Sequence, residues 1–264
     1  MTRLLSFVLV VYGGLLLPGC AGGDGQADAQ GDIEEHFARG QALFEREKWA
    51  RAAEEFNWVV LNNPAGNLAA EAQFFYAECL YQQRLYVEAQ IEFERLLRRW
   101  ATTEHLVEAR YRIVQALVAQ SPNYYFDQRA TDDAIDELQD FIEEFPDAPQ
   151  REEAEGLIGQ LRGKIAQKYY ESGRLYLKWH RPSPARVYFE MVLAQYYDTP
   201  FADEARVGTV VSYILAEDMA AAEAYLEENV DKFQEAKLLS EARHFITIAR
   251  EGKFDLAFYL RLYQ

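Results

Sequence analysis

A short set of residues recurs down this chain at fixed intervals. Gly40, Leu43, Trp49, Ala52 and Phe56 return 37 residues later as Ala77, Leu80, Tyr86, Ala89 and Phe93. A shift of 133 carries the first set onto Gly173, Tyr176, Pro182, Ala185 and Phe189, and the second onto Val210, Tyr213, Met219, Ala222 and Leu226. Between them a further unit starts in phase, with Glu108, Ala109 and Leu117 following Glu71, Ala72 and Leu80. It then takes an eight-residue insertion, so that Thr131 and Ala134 correspond to Tyr86 and Ala89, and Leu138 stands in place of Phe93. A period of this length means one supersecondary unit stacked on copies of itself, each burying one face against its neighbours. Trp49, Ala52, Ala53, Phe56, Val59 and Val60 follow the 3.6-residue period directly, so the unit is helical.

The pattern resembles the tetratricopeptide repeat, two antiparallel helices that meet through small residues. Gly40, Trp49, Ala52, Phe56 and Pro64 carry the likeness in the first unit, Ala134 and Pro146 in the third. The reason is steric: Gly40 and Ala52 stand where the helices touch, and larger side chains would push them apart. The expected fold is all-α, a right-handed superhelix of about five such helix pairs with a C-terminal capping helix. Its units divide into an N-terminal half, 33–146, interrupted by the insertion at 120–130, and a C-terminal half, 147–264. The last residues, from Lys253 on, suit either a strand or a further helix.

The N-terminus carries a different signal. Arg3 precedes an apolar run from Leu4 to Leu17, and Leu17-Pro18-Gly19-Cys20 follows. The run is shorter than the ~20 residues a membrane-crossing helix needs. A charged start, a short apolar stretch and a small residue before a cut form a secretory signal. With a cysteine after the cut this resembles a lipobox, although Pro18 stands where a small residue is usual. The likeness implies removal of residues 1–19 and acylation of Cys20, a stable anchor because several acyl chains bury many methylenes at ~0.8 kcal/mol each. Residues 20–32, rich in Gly and Asp, are expected to form a flexible tether.

Composition removes several classes of function. The formal charge of −16 argues against nucleic acid, which needs clustered cations. It also argues against charge-driven contact with an anionic membrane and favours partners with basic patches. Once Cys20 is acylated, Cys79 has no intramolecular disulfide partner, and it sits in an apolar helical stretch as a small hydrophobe. His36, His105, His180 and His244 form no HExxH motif, and there is no phosphate-binding glycine loop and no GxSxG. No enzyme chemistry, metal or cofactor is expected beyond the covalent lipid.

The middle of the chain narrows the family. Ser121-Pro122-Asn123-Tyr124-Tyr125-Phe126-Asp127-Gln128-Arg129 interrupts unit three, and Phe145-Pro146 closes it. A long stretch through Lys164-Ile165-Ala166 and Tyr169-Tyr170-Glu171-Ser172-Gly173-Arg174 leads into unit four, which ends at Tyr197-Asp198-Thr199-Pro200. This order, together with the lipobox, resembles the BamD family of outer-membrane assembly lipoproteins. The resemblance implies a non-enzymatic subunit of the β-barrel assembly complex, anchored on the periplasmic face of the outer membrane. The C-terminal half would bind the POTRA domains of a BamA-like barrel partner, the N-terminal half would receive unfolded barrel substrates, and further assembly lipoproteins would join. Ala21 after the cut, rather than Asp, agrees with an outer-membrane address. A competing reading is a periplasmic repeat lipoprotein that coordinates envelope or peptidoglycan processes; the short, Gly-rich stretch before the repeats leaves no room for the coiled coil such proteins carry. A lytic enzyme would need a catalytic domain for which no space follows unit five.

The repeat register nominates binding residues. Helix-A positions expected to face the inner groove hold Phe37, Phe74 and Tyr111, then Phe44 and Tyr81, with Glu34, Glu71 and Glu108 along the edge. A row of aromatics suits an extended segment with a terminal aromatic. Arg174 and Lys178 change the sign of the groove in unit four. Arg186 matches an arginine of the family, and with Arg174 it is the candidate contact to the barrel partner, since guanidinium groups pair carboxylates in a bidentate manner. Tyr124, Tyr125 and Phe126 either plug the groove or meet a partner.

Overall fold

The computed structural model describes residues 24–261. The segment read as a signal, 1–19, and the expected lipid-attachment residue Cys20 lie outside the described residues. Among those described, the chain is all-α. Helices α1 (Asp24–Phe44) and α2 (Trp49–Asn62) form the first unit, α3 (Ala69–Gln82) and α4 (Tyr86–Arg99) the second, α5 (Leu106–Gln120) and α6 (Arg129–Glu144) the third. Helices α7 (Arg151–Lys178) and α8 (Pro182–Gln195) form the fourth, and α9 (Phe201–Leu215) and α10 (Met219–Asn229) the fifth. The cap is α11 (Ala236–Arg250), followed by the short α12 (Leu256–Tyr259), so the described part of the C-terminal stretch holds a helix rather than a strand. The five expected pairs and the capping helix are all present.

One expectation is corrected. Helix α1 begins at Asp24, inside the stretch read as a flexible tether. Gln26, Ala27, Ala29 and Gln30 are good helix formers, and two glycines do not outweigh them once the helix is extended from a packed segment downstream.

The sequence repeat is a packing repeat. Ala52, Ala89, Ala134, Ala185 and Ala222 are fully buried in the five B helices, as are Phe56, Phe93, Leu138 and Phe189 four residues further on. The B-helix ring lies against the small residue of helix A. A Cβ on Gly40 would stand 2.8 Å from the Phe56 ring, and one on Gly173 would stand 2.5 Å from the Phe189 ring. Gly208 of α9 meets the same Phe189 ring at 2.6 Å, so this ring is clamped between units four and five. The core accordingly runs as a series of clusters, one around Phe56, one around Phe93, one around Phe141 and a larger one from Ala166 to Leu260.

The A-to-B turns repeat as well, through a device that carries no glycine. Glu47, Arg84, His180 and Glu217 occupy the left-handed region, with φ between 55° and 63°. Each turn closes with the same pair of bonds: Lys48 N–H to Leu43 and Glu47 N–H to Phe44, then Leu85 to Leu80 and Arg84 to Tyr81, and likewise after α7 and α9. This is a Schellman closure, in which two otherwise orphaned carbonyls accept bonds from the residues past the helix end. Unit three departs from it because the insertion replaces the turn.

Helix α9 is buried on nearly every side, since α7, α8, α10 and α11 all pack on it. Buried Asp203 accepts a bond from Arg206 and two more from the backbone N–H groups of Gln234 and Glu235, each at 2.7 Å, which fixes the entry into α11.

Two glycines on α7 separate packing from propensity. Gly159→Ala meets open space and should raise stability by about 0.5–1 kcal/mol through helix propensity. Gly173→Ala overpacks the clamped Phe189 ring and should lower it by about 1–2 kcal/mol net. Thermal unfolding of both variants, moving Tm in opposite directions, checks this.

Candidate polypeptide-binding surfaces

The five aromatics nominated for the groove do not form one continuous row. Phe37 is 7% exposed and packs edge-on to Phe56 at 5.6 Å and Phe75 at 6.5 Å. Phe74, 8% exposed, stacks on His105 at 4.2 Å, and Tyr111, 3% exposed, lies against Phe141 at 5.2 Å. These three are shared between successive units, because the helix-A face that turns inward also meets the next helix pair. Phe44 and Tyr81 remain half-buried. Phe44 leans on Trp49 at 4.9 Å and Phe75 at 5.2 Å; Tyr81 leans on Tyr86 at 5.4 Å and carries the Arg112 guanidinium over its ring at 5.1 Å.

Around Tyr81 lies a charge mesh that the repeat register did not reveal. Arg112 reaches buried Glu78 at 2.7 Å and Glu108 at 3.5 Å, and Gln150 donates to Glu108 at 3.0 Å. Burial pushes the Tyr81 hydroxyl above its ordinary pKa, and Arg112 pulls it part of the way back. Burial, aided by Glu153, raises Tyr111 further. Cys79 is fully buried, its pKa pushed up to about 12 by burial and by Glu78, so the thiol is inert. No cluster of His, Cys, Asp and Glu suited to a metal occurs among the described residues.

Arg174 serves the interior. It donates to both oxygens of Glu171 at 3.1 Å and to the carbonyl of Leu260 at 2.8 Å, beside the Tyr170 ring at 5.7 Å. It lines a cavity of about 170 Å³ with Tyr170, Glu204, Glu241 and Tyr259, where burial raises the Tyr170 and Tyr259 hydroxyls. Its role is to hold the chain end onto α7.

Arg186 is placed differently. Its guanidinium lies over the Tyr213 ring at 4.5 Å and donates weakly to Ser212 and Ser183, with no carboxylate among the described residues paired to it. Stacking leaves the edge of the guanidinium open to an acidic partner. Beside it, the outer face of α8 shows Val187, 52% exposed, and Met191, 37% exposed. Helix α8 has two charged residues in 14, whereas α6, in the same role one unit earlier, has eight in 16. That low charge on α8 was visible in the sequence.

A family profile described as "YfiO: Outer membrane lipoprotein" matches residues 29–226. The chain belongs to this outer membrane lipoprotein family. A relative named "Outer membrane protein assembly factor BamD", from Rickettsia prowazekii (strain Madrid E), is 28% identical over 222 residues, covering 81% of this chain and 85% of that protein. The BamD resemblance drawn from the sequence agrees with both matches. Among solved structures, a tetratricopeptide repeat protein from Parabacteroides merdae aligns over 87% of this chain and 91% of its own at 14% identity, with a TM-score of 0.38. YrrB, described as a TPR protein with an unusual peptide-binding site, aligns over 82% and 97% at 18% identity, with a TM-score of 0.33. The family is one of assembly lipoproteins and not of enzymes, and no described helix is long and apolar enough to cross a membrane.

Replacing Arg174 with Met removes its bonds to Glu171 and Leu260 and should cost about 1–3 kcal/mol. The loss should be local: hydrogen exchange is expected to accelerate across 256–261 and to stay unchanged in units one to three.

Proposed function

We propose that this protein is the lipid-anchored scaffold subunit of the outer-membrane β-barrel assembly complex, held through Cys20 on the periplasmic face. The C-terminal half, 147–264, binds the POTRA domains of a BamA-like barrel protein, and the N-terminal half, 33–146, receives unfolded barrel substrates. The observation that carries the reading is the family match across both halves, joined by a relative named as an assembly factor. Stacked helix pairs bind polypeptides along extended surfaces and need no bond-making chemistry.

The outer face of α8 supports the partner contact. An apolar ridge of Val187 and Met191 beside a stacked arginine has the composition of an interface core with a charged rim. Arg174, engaged with Leu260, would support that surface from within. On the substrate side, Phe44 and Tyr81 offer ring surface to an extended segment, while Phe37, Phe74 and Tyr111 shape it from behind.

Two measurements test the halves separately. Affinity purification of the full-length lipoprotein from detergent-solubilised membranes should recover a POTRA-barrel protein, and Val187→Asp with Arg186→Glu should reduce recovery at least tenfold without lowering Tm. Undiminished recovery sinks the α8 contact. A synthetic peptide with the sequence of a barrel C-terminus should photocross-link at Tyr81 and Phe44; labelling confined to units four and five removes the substrate assignment.

A further inference from the structure

The insertion in unit three is a built loop. Residues 121–128 connect α5 to α6. The buried Gln128 side chain, 6% exposed, organises it: Nε2 donates to the carbonyls of Asn123 at 2.9 Å and Phe126 at 3.1 Å, and Oε1 accepts from the Thr131 hydroxyl at 2.8 Å. Thr131 and Ser121 share a hydroxyl bond of 2.7 Å. Two lysines of α7 clamp the loop from the next unit. Lys164 donates to the Ser121 hydroxyl at 2.7 Å and Lys168 to the Phe126 carbonyl at 2.8 Å.

All this order serves to display two rings. Tyr125 is 62% exposed and Phe126 55% exposed, with centroids 4.6 Å apart. Tyr124 braces Tyr125 edge-on at 5.3 Å, and Asn123 donates to the Tyr125 hydroxyl at 3.1 Å. The loop therefore does not fold inward as a plug. Adjacent exposed aromatics on a pre-ordered loop lose little entropy when they bind, which is the condition for an interface hot spot.

The surroundings decide the kind of partner. Asp127 in the loop and Asp132, Asp133 and Asp136 in the first two turns of α6 are all exposed, and Glu137, Asp140, Glu143 and Glu144 follow them on α6. The cations set against them are Arg129, paired to Asp127, and the loop-clamping Lys164 and Lys168. Burial and the three neighbouring aspartates raise the Asp132 carboxyl, a local negative field that a cationic neighbour would relieve. Such a field repels an anionic lipid surface and complements a basic protein rim.

We propose that Tyr125 and Phe126 form a second docking knob, independent of the α8 face, which inserts into an apolar pocket rimmed by basic side chains on a folded protein partner in the envelope. The full-length lipoprotein carrying a photoreactive phenylalanine at position 125, in intact cells, is expected to give one discrete cross-linked protein, absent when the label sits at Asp140 on the exposed side of α6. With that protein purified, Tyr125→Ser combined with Phe126→Ser should weaken binding at least tenfold while Tm and the α8-dependent recovery of the POTRA-barrel protein stay unchanged. Wild-type affinity should fall as salt rises. The proposal is overturned by the absence of a cross-link, by adducts to lipid or to a second copy of this chain, or by a double variant that binds as the wild type does. Retained POTRA-barrel recovery in the same variant separates failure of the knob from failure of the α8 reading.

Discussion

Contact between a large ring on one helix and the bare backbone of the next sets the geometry of this molecule. Phe56 over Gly40, and Phe189 between Gly173 and Gly208, bring the helices close enough for Ala52 and Ala185 of the facing B helices to be fully buried. Without that approach the apolar faces of single helix pairs would remain wet, since no unit encloses a core of its own. Phe189 differs from the other rings because glycines contact it from two units at once. It joins units four and five into one cluster with the cap, whereas the N-terminal units each keep a smaller cluster.

The two binding roles proposed for the halves follow the same division. The C-terminal cluster takes in α7, α9, α11 and the chain end, held by Arg174 on Leu260 and by Asp203 at the head of α11. A rigid block of this kind presents α8 as a fixed surface, on which Val187 and Met191 stand exposed one turn apart. The N-terminal units combine half-buried rings with a mesh of Glu78, Arg112 and Glu108, a surface with both apolar contact area and polar anchoring points. Helix α7 links the two regions: Leu161 and Ile165 pack with unit three, while Ala166, Tyr170 and Leu177 pack with unit five and the cap.

The helix pairs were legible because the pattern of small and large residues is local to each unit and its spacing survives through 133 residues. The turns were less so. Glu47, Arg84, His180 and Glu217 adopt a left-handed conformation with no glycine to announce it, because the two Schellman bonds and the packing of both flanking helices over-determine the turn. Part of the stretch read as a tether became helix because the packed segment that begins at Ile33 extends it. The five nominated aromatics all lie on A helices, but register cannot tell a ring left open from one shared with the following unit.

By itself, then, the amino-acid order determined the stack of paired helices, the insertion in unit three, the lipid-anchor motif and the family resemblance, since each rests on residue types at fixed spacing along one chain. Tertiary structure decided which side chains stay available. It buried Phe37, Phe74 and Tyr111, turned Arg174 inward to the chain end, left Arg186 stacked with an open edge, and raised Tyr125 and Phe126 on a clamped loop. The physical reason is that helical periodicity reports which face of a helix is apolar, while accessibility depends on the neighbour that covers that face, and here the neighbour comes from a different unit.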